Sequence, residues 1–585
     1  VERMNRNTDD HFGGIPSKNI RRSKFKRDCK YQTTFNTGDI VPIYVDEVLP
    51  GDTAKIKVSS LIRMLTPINP TMDNLWADIY FFFVPRRLTW EHWQEFMGEN
   101  TADEWTEKRS WTIPQLTAPS GGWTKGTLGE KIYGIQGIDG ISVDAQYMRS
   151  YVCIFNEWFR NQNVTEMASM SKGDATTAGS NGTSYVTDLE KGGAMAKAVK
   201  YADYFTRALP SPQKGPDIYL PLTQNDVDIP VATKTADIPT AARTTMVPMH
   251  YWAFNTSSSP ITVQNGQALD PKVKRAANVT IPASGYASVT LDQTRVELQN
   301  YQSGQDIDGI NLQPSNLWAV TKGIAGSTIN ELRQAFAIQR MYELDARGGT
   351  RYIEILKAHF GVDSPDARLQ RPEYLGGKRI PINMTQVVQS SSTDSTSPQG
   401  NTAGMSLTID SHDCFTKSFV EHGILMGLCV VRQEHTYQQG LARIFNRKNR
   451  VDFYFPELAN LSEQYIKNKE IYAQGSSVVN PVSGNPYDEE AFGYQEAWAE
   501  YRYGINKITG ELNSNYATPL DSWHYGDDYN SMPVLSDAWI RETDVNVART
   551  LAIQGQDQFK ADFYFDQTWT RPMPIYSIPS LSGWN

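Results

Sequence analysis

Two short stretches of this 585-residue chain concentrate the side chains that bind phosphate. RRSKFKRDCK places Arg21, Arg22, Lys24, Lys26, Arg27 and Lys30 together, with Phe25 and Tyr31 interleaved. Lysine and arginine release counterions from phosphates, and aromatic rings stack on unpaired bases, so the pattern suits single-stranded nucleic acid. A solvated basic tail, or an arm pinned under a neighbouring subunit, would have the same composition. LARIFNRKNR adds Arg443, Arg447, Lys448 and Arg450 as a second candidate phosphate-facing patch, with a basic loop at a subunit contact as the alternative. The formal net charge is -9, so positive charge is concentrated rather than general.

Other chemistry finds little footing. His412, Cys414, His422 and Cys429 fall close together, but their separations fit no zinc pattern, and alternation along strands would scatter them over two faces. Asp306 and Asp308 before Gly309 lack most ligands of a calcium loop. Glycines between Gly126 and Gly140 lack the strand and lysine of a phosphate loop. The four cysteines, Cys29, Cys153, Cys414 and Cys429, have no framework spacing and are expected to be free buried thiols. No nucleophile elbow, Walker loop, dinucleotide fingerprint or His-Glu metalloprotease motif occurs. The expectation is a protein that is not an enzyme, with no catalytic residue, metal or cofactor.

The elements that position these residues read mainly as strands. Tyr 29, Phe 22 and Trp 14 favour a pleated, half-buried surface, and Gly 42 and Pro 31 supply turns. Strands begin at Asp39, with a turn at Pro50-Gly51 and a further strand over 75–85. Asp78-Ile79-Tyr80-Phe81, Asp452-Phe453-Tyr454-Phe455 and Asp562-Phe563-Tyr564-Phe565 share one pattern, which predicts three strands with neighbours distant in sequence. That is Greek-key or jelly-roll behaviour rather than a chain of hairpins.

The longest helical signal runs through 326–382. Thr328 and Glu331 have capping-box spacing, Gly348-Gly349 stop the helix, and a second helix spans about 351–360, giving an expected buried helical hairpin. Short helices are expected at WEHWQEFMGEN, YMRSYVCIFNEWFRNQN and PYDEEAFGYQEAWAEYRYG. SFVEHGILMGLCVVRQEH predicts paired strands around Gly423, and 567–585 reads as a proline-rich tail lying across a neighbouring subunit. No apolar run is long enough to cross a bilayer, and the first residues lack the apolar core of a signal peptide, so a soluble protein made in a cytosol is expected.

ARGGTRYIEILKAHFGV with SPDARLQRPEYLGG resembles the major capsid protein of gokushoviruses, small single-stranded DNA phages of the Microviridae. RSKFKRDCKYQTTFNTGDIVPIYVDEVLPGD, YFTRALPSPQKG and FGYQEAWAEYRY resemble the same family. The resemblance implies a mainly β viral jelly roll, an antiparallel β-sandwich with long loop insertions and a few helices. Residues 1–38 then form a basic N-terminal arm facing DNA, and 39–222 the first part of the body. A strand-rich insertion over 223–315 becomes a candidate three-fold protrusion used in host attachment, 316–566 the helical hairpin and remaining body, and 567–585 the tail.

The implied function is a structural major capsid protein that self-assembles into a T=1 icosahedral shell around a circular single-stranded DNA genome. The implied partners are further copies of the chain, that genome, small basic DNA-binding and minor virion proteins, and a host surface receptor, without membrane insertion. The implied location is the virion, assembled in the host bacterial cytoplasm. A carbohydrate-binding or glycoside-hydrolase jelly roll is the alternative, because carboxylates are plentiful.

Overall fold

A computed structural model describes residues 21–99, 110–216, 218, 329–349, 351–393 and 398–576, with the backbone of short strands between 231 and 319. The chain divides into two compact units, Val1–Pro216 with Met341–Asn585, and Asp217–Arg340. In the second unit, Tyr251–Phe254, Pro260–Ile261 and Asn311–Pro314 form a three-stranded antiparallel sheet. Two further short antiparallel pairs join Val279–Thr280 to Ser288–Val289 and Val231–Thr233 to Leu317–Ala319. Asp306, Asp308 and Thr328 lie outside the described residues.

The first unit is built on two antiparallel sheets. Its strands are β1 (Ser23–Lys26), β2 (Cys29–Phe35), β3 (Val41–Val48), β4 (Thr53–Met64), β5 (Leu75–Pro85), β6 (Glu373–Pro381), β7 (Thr408–Ser418), β8 (Gly423–Gln433) and β9 (Phe559–Arg571). One sheet has the order β1-β9-β4-β7, with β2 continuing the edge that β1 begins; the other has the order β6-β5-β8-β3. Counting β1 and β2 as one interrupted strand leaves eight strands, and every successive pair except β5-β6 changes sheet. This is the jelly-roll arrangement. Pro50-Gly51 ends the first sheet crossing as the sequence predicts, with Gly51 at φ 90.

Aromatic side chains close the space between the sheets. Ile79, Phe81 and Phe83 of β5 face Phe563 and Phe565 of β9 in one buried cluster. The Phe565 ring centroid lies 4.9 Å from Tyr44 and 6.5 Å from Phe81, and Phe81 lies 5.5 Å from Phe415. Gly427 on β8 makes room for this packing, since a β-carbon there would stand 2.8 Å from the Phe81 ring and 3.0 Å from Tyr44. Ion pairs sit at the two open edges of the sandwich: Arg27 with Asp46 at 2.7 Å on one side, Lys378 with Asp410 at 2.6 Å on the other.

The outer faces differ. Phe82, Val84, Met426 and Leu428, on the far side of the β6-β5-β8-β3 sheet, pack under α1 (Leu128–Tyr133) and α2 (Gln146–Ile154) through Leu128, Met148 and Tyr151. β8 is consequently buried at all 11 positions. β4 and β9 instead alternate buried and solvent-facing residues, as a sheet with one wet face must. Tyr437, Phe492 and Trp539 of the β8-β9 connection form a third apolar cluster with Phe205 of the β5-β6 connection.

Several expectations change. The stretch from Ser23 to Phe35 is sheet rather than arm, because Phe25, Tyr31 and Phe35 turn inward on an alternating pattern. Residues 567–571 belong to β9 and bury Trp569 completely; only after Arg571 does the proline-rich segment begin. Asp452-Phe453-Tyr454-Phe455 is no strand: it leaves a 3-10 turn at Arg450–Asp452 and enters another at Pro456–Leu458, with Phe453 and Tyr454 exposed. β7 and β8 lie in different sheets rather than pairing around Gly423.

The late segment forms a strand, Ala491–Glu496, paired with Glu463–Lys467, because Phe492 and Gln495 are held by the third cluster and the Tyr204 carbonyl. The helices α3 (Ile329–Gly348) and α4 (Tyr352–Phe360) occur as predicted, but among the described residues neither carries a fully buried side chain. His359 and Asp345, 2.7 Å apart, tie them together. Cys29 is exposed, and the four cysteines are free.

A buried polar network joins the end of β8 to the β8-β9 connection. His435 Nδ1 lies 2.9 Å from Asp527 and Nε2 3.2 Å from Glu542, and Asp527 also accepts from Asn546 and Tyr529. An imidazole flanked on both nitrogens by carboxylates donates from both, which requires the cation. Burial opposes that charge, but Asp527 and Glu542 outweigh it and raise the pKa to about 9. This stabilisation is full below the ordinary histidine value near 6.5 and is lost as pH rises through about 9. Urea unfolding of the unassembled chain should therefore show stability falling across that window, with the slope flattened in His435→Gln.

Phe565→Ala should cost about 3–5 kcal/mol in the same assay. Tyr564→Ala, one residue away on the wet face, should change stability by less than about 1 kcal/mol.

Candidate nucleic-acid interface

The first basic stretch lies along one edge of the wet sheet. Arg21, Arg22 and Lys24 are exposed and make no ion pair among the described residues. Lys26 reaches Asp28 at 3.2 Å and Asp566 at 3.8 Å, and Lys30 reaches Asp562 at 2.9 Å, both with more than half of the side chain exposed. The hydrogen bond and charge of Asp28 raise the pKa of Lys26, so it stays cationic well above neutral pH. Arg27 is different. It turns away to Asp46 on the other sheet and lies over the Trp569 ring, so it closes the sandwich edge. Phe25 and Tyr31 are packed against the core and cannot stack on bases, contrary to the sequence expectation.

The second patch splits. Arg443 lies 3.2 Å from Glu470 and donates to Gln464 at 3.0 Å. Burial works against its charge, but Glu470 more than offsets this and raises its pKa. Arg447 lies 3.2 Å from Glu500, between the rings of Phe453 and Tyr501. Both arginines are engaged by carboxylates of their own unit and hold the β8-β9 connection together. Lys448 and Arg450 remain exposed, Arg450 over the Phe455 ring. Arg443, Arg447, Lys448 and Lys467 line a cleft of about 290 Å³ that also contains Asp452, Glu470 and Glu500, so most of its positive charge is offset within the fold.

The structure adds residues that no basic run announces. Along β4, TAKIKVSSLIRM turns Lys55, Lys57 and Arg63 to solvent while Ile56, Val58 and Ile62 enter the core. Lys560 projects from the same face of β9, directly opposite Arg63. With Lys24, Lys26 and Lys30, these cations share the wet face with four carboxylates, Asp28, Asp413, Asp562 and Asp566. Lys24, Lys55, Lys57, Arg63 and Lys560 have no ion-pair partner among the described residues. Strand alternation in TAKIKV was the available signal.

The histidines and cysteines that fall close together in the sequence, without zinc spacing, do not converge in the fold. His412 and Cys414 lie on β7, Cys429 on β8 in the other sheet, and His422 in the turn between them. His412 Nδ1 instead sits 2.7 Å from Asp410, the partner of Lys378. Among the described residues no group of three or more histidine, cysteine or acidic side chains could hold a metal ion, and no helix is long and apolar enough to cross a membrane.

A jelly roll with one wet, cation-bearing sheet face agrees with what the chain is similar to. Residues 13–581 match the phage family described as capsid protein (F protein). Capsid protein VP1 of Spiroplasma virus 4 is 39% identical over 99% of both chains. VP1 of Bdellovibrio phage phiMH2K is 37% identical over 99% of both, and VP1 of Chlamydia phage 1 is 36% identical over 98% of both. The carbohydrate-active alternative gains no support from these relatives. With similarity running nearly end to end over this fold, the chain belongs to the phage capsid protein (F protein) family and serves as a structural major capsid protein of gokushovirus type.

Proposed function

We propose that sixty-fold repetition of this capsid protein builds a T=1 icosahedral shell, that is, about 60 copies in closed point-group symmetry, around a circular single-stranded DNA genome. The observation that carries this reading is the near-complete similarity to capsid proteins of three phages. The exposed cations at Arg21, Arg22, Lys24, Lys26 and Lys30 support an inner surface that meets DNA. Lys448 and Arg450 are retained as secondary candidates, whereas Arg27, Arg443 and Arg447 are assigned to intramolecular pairing.

Host attachment is assigned to the 223–315 insertion. Its support is a composition distinct from the flanking sequence and its position inside a unit that packs separately, Asp217–Arg340. Small basic DNA-binding and minor virion proteins and a host surface receptor complete the set of partners, with synthesis and assembly in the bacterial cytoplasm.

Subunit contacts are assigned in part to the helical hairpin. Met341, Leu344, Tyr352, Phe360 and Val362 are exposed there, an apolar surface that a solitary soluble protein has no use for. Phe360→Asp with Tyr352→Asp should abolish particles while leaving the urea midpoint of the subunit nearly unchanged. Wild-type particles examined by electron microscopy should be uniform small icosahedra holding nuclease-resistant DNA. Subunits that stay monomeric when co-expressed with the other phage proteins would refute the shell, and empty wild-type particles would refute DNA enclosure.

A further inference from the structure

We propose that the wet face of the β1-β9-β4-β7 sheet, centred on Lys55, Lys57, Arg63 and Lys560, is a binding surface for single-stranded DNA. This deepens the proposal that the shell encloses such a genome and rests on it.

Part of the charge on this face is met within the fold, Lys26 and Lys30 by ion pairs and Lys57 by standing in register with Asp413 and Asp566, but one pair of cations is not. Arg63 and Lys560 stand directly opposite each other on adjacent strands. Like charges in that position repel and destabilise a sheet. Neither has a carboxylate partner among the described residues, so folding alone gains nothing from the pair. A polyanion laid over the strands would turn the repulsion into attraction. In a chain of formal net charge -9, an excess of cations on one sheet face is a local departure that needs an external counterpart.

The spacing also suits a strand of phosphates. Lys55 and Lys57 are two residues apart on one strand, about 6.6–6.8 Å along its axis. Lys26, Thr568 and Lys55 form one row across β1, β9 and β4, so Lys26 and Lys55 are about 10 Å apart across the sheet. Tyr564 lies between the two groups of cations, the residue 44% exposed and its hydroxyl donating to Asp28 at 3.0 Å. A ring held in this way offers a stacking platform that tolerates any base. Cations at strand spacing around an exposed ring fit an unpaired, flexible strand better than a rigid duplex, whose bases are already stacked.

The test uses the full chain as unassembled subunits and a fluorescent oligothymidylate, titrated from about 50 to 200 mM salt. A variant with Lys55, Lys57, Arg63 and Lys560 all changed to Gln should bind with a salt slope shallower by about 2–3, since each phosphate contact on a single strand contributes about 0.7. Lysine-to-arginine replacements at Lys55, Lys57 and Lys560 should keep the wild-type slope. In wild-type protein, bound oligothymidylate should protect these three lysines from acetylation, a measurement that survives any folding defect of the variant.

An unchanged slope with unprotected lysines overturns the proposal and leaves DNA enclosure standing. Loss of particle assembly with unchanged oligonucleotide binding also overturns it and makes the face a subunit contact. Wild-type subunits that bind no oligothymidylate, together with particles that hold no DNA, would remove both.

Discussion

Everything in the first unit depends on the apolar contact between the two sheets. Phe81, Phe415, Phe563 and Phe565 converge there from three strands, β5, β7 and β9, that lie far apart in the chain. A fully buried side chain of this size contributes roughly 1.5–3 kcal/mol, so a handful of them exceeds the net stability of an ordinary domain. The backbone accommodates this packing through Gly427, where any side chain would meet Phe81. The ion pairs at the two edges add closure rather than cohesion, since exposed pairs contribute at most about 1 kcal/mol.

One consequence is an asymmetry between the sheets. In the β6-β5-β8-β3 sheet the central strands β5 and β8 are sealed on both faces, by the inter-sheet core and by α1 and α2, while β6 forms an exposed edge. The partner sheet keeps one face in water and places its charges there. The long connections have their own cores, as around Phe205 and Trp539, and a buried His435-Asp527-Glu542 network pins one of them to the end of β8. Loops and helices can therefore be elaborated for contacts with neighbours while the sandwich stays closed, which is the physical requirement on a shell subunit. The half-exposed hairpin of α3 and α4 is one such elaboration.

Much of the framework was legible from local signals. Pro50-Gly51 and the alternation on either side locate β3 and β4, and the apolar run ending at Pro85 locates β5. The Asp-apolar-Tyr-Phe pattern succeeds at 78–81 and 562–565, where the second and fourth residues meet partners from the facing sheet. It fails at 452–455, where no such partner exists and Pro456 starts a turn. The basic residues were harder to sort because their fates depend on distant carboxylates. Arg443 is claimed by Glu470 and Arg447 by Glu500, and Arg27 by Asp46 on another sheet. Lys55, Lys57 and Arg63 were visible in the alternation of β4 but are overshadowed by the denser run before them. The prolines that follow Trp569 closely read as a tail that includes it, yet the strand continues as far as Arg571.

The orientation of the sandwich within the particle decides the central claim, that one wet sheet face is turned to the genome while the sealed sheet supports the shell. A cryo-electron microscopy map of DNA-filled particles at side-chain resolution would reveal it directly. The account predicts that Lys55, Lys57, Arg63 and Lys560 line the interior, with density for nucleotides over the Tyr564 ring. A map with that face on the outer surface, or covered by a neighbouring subunit, would contradict it.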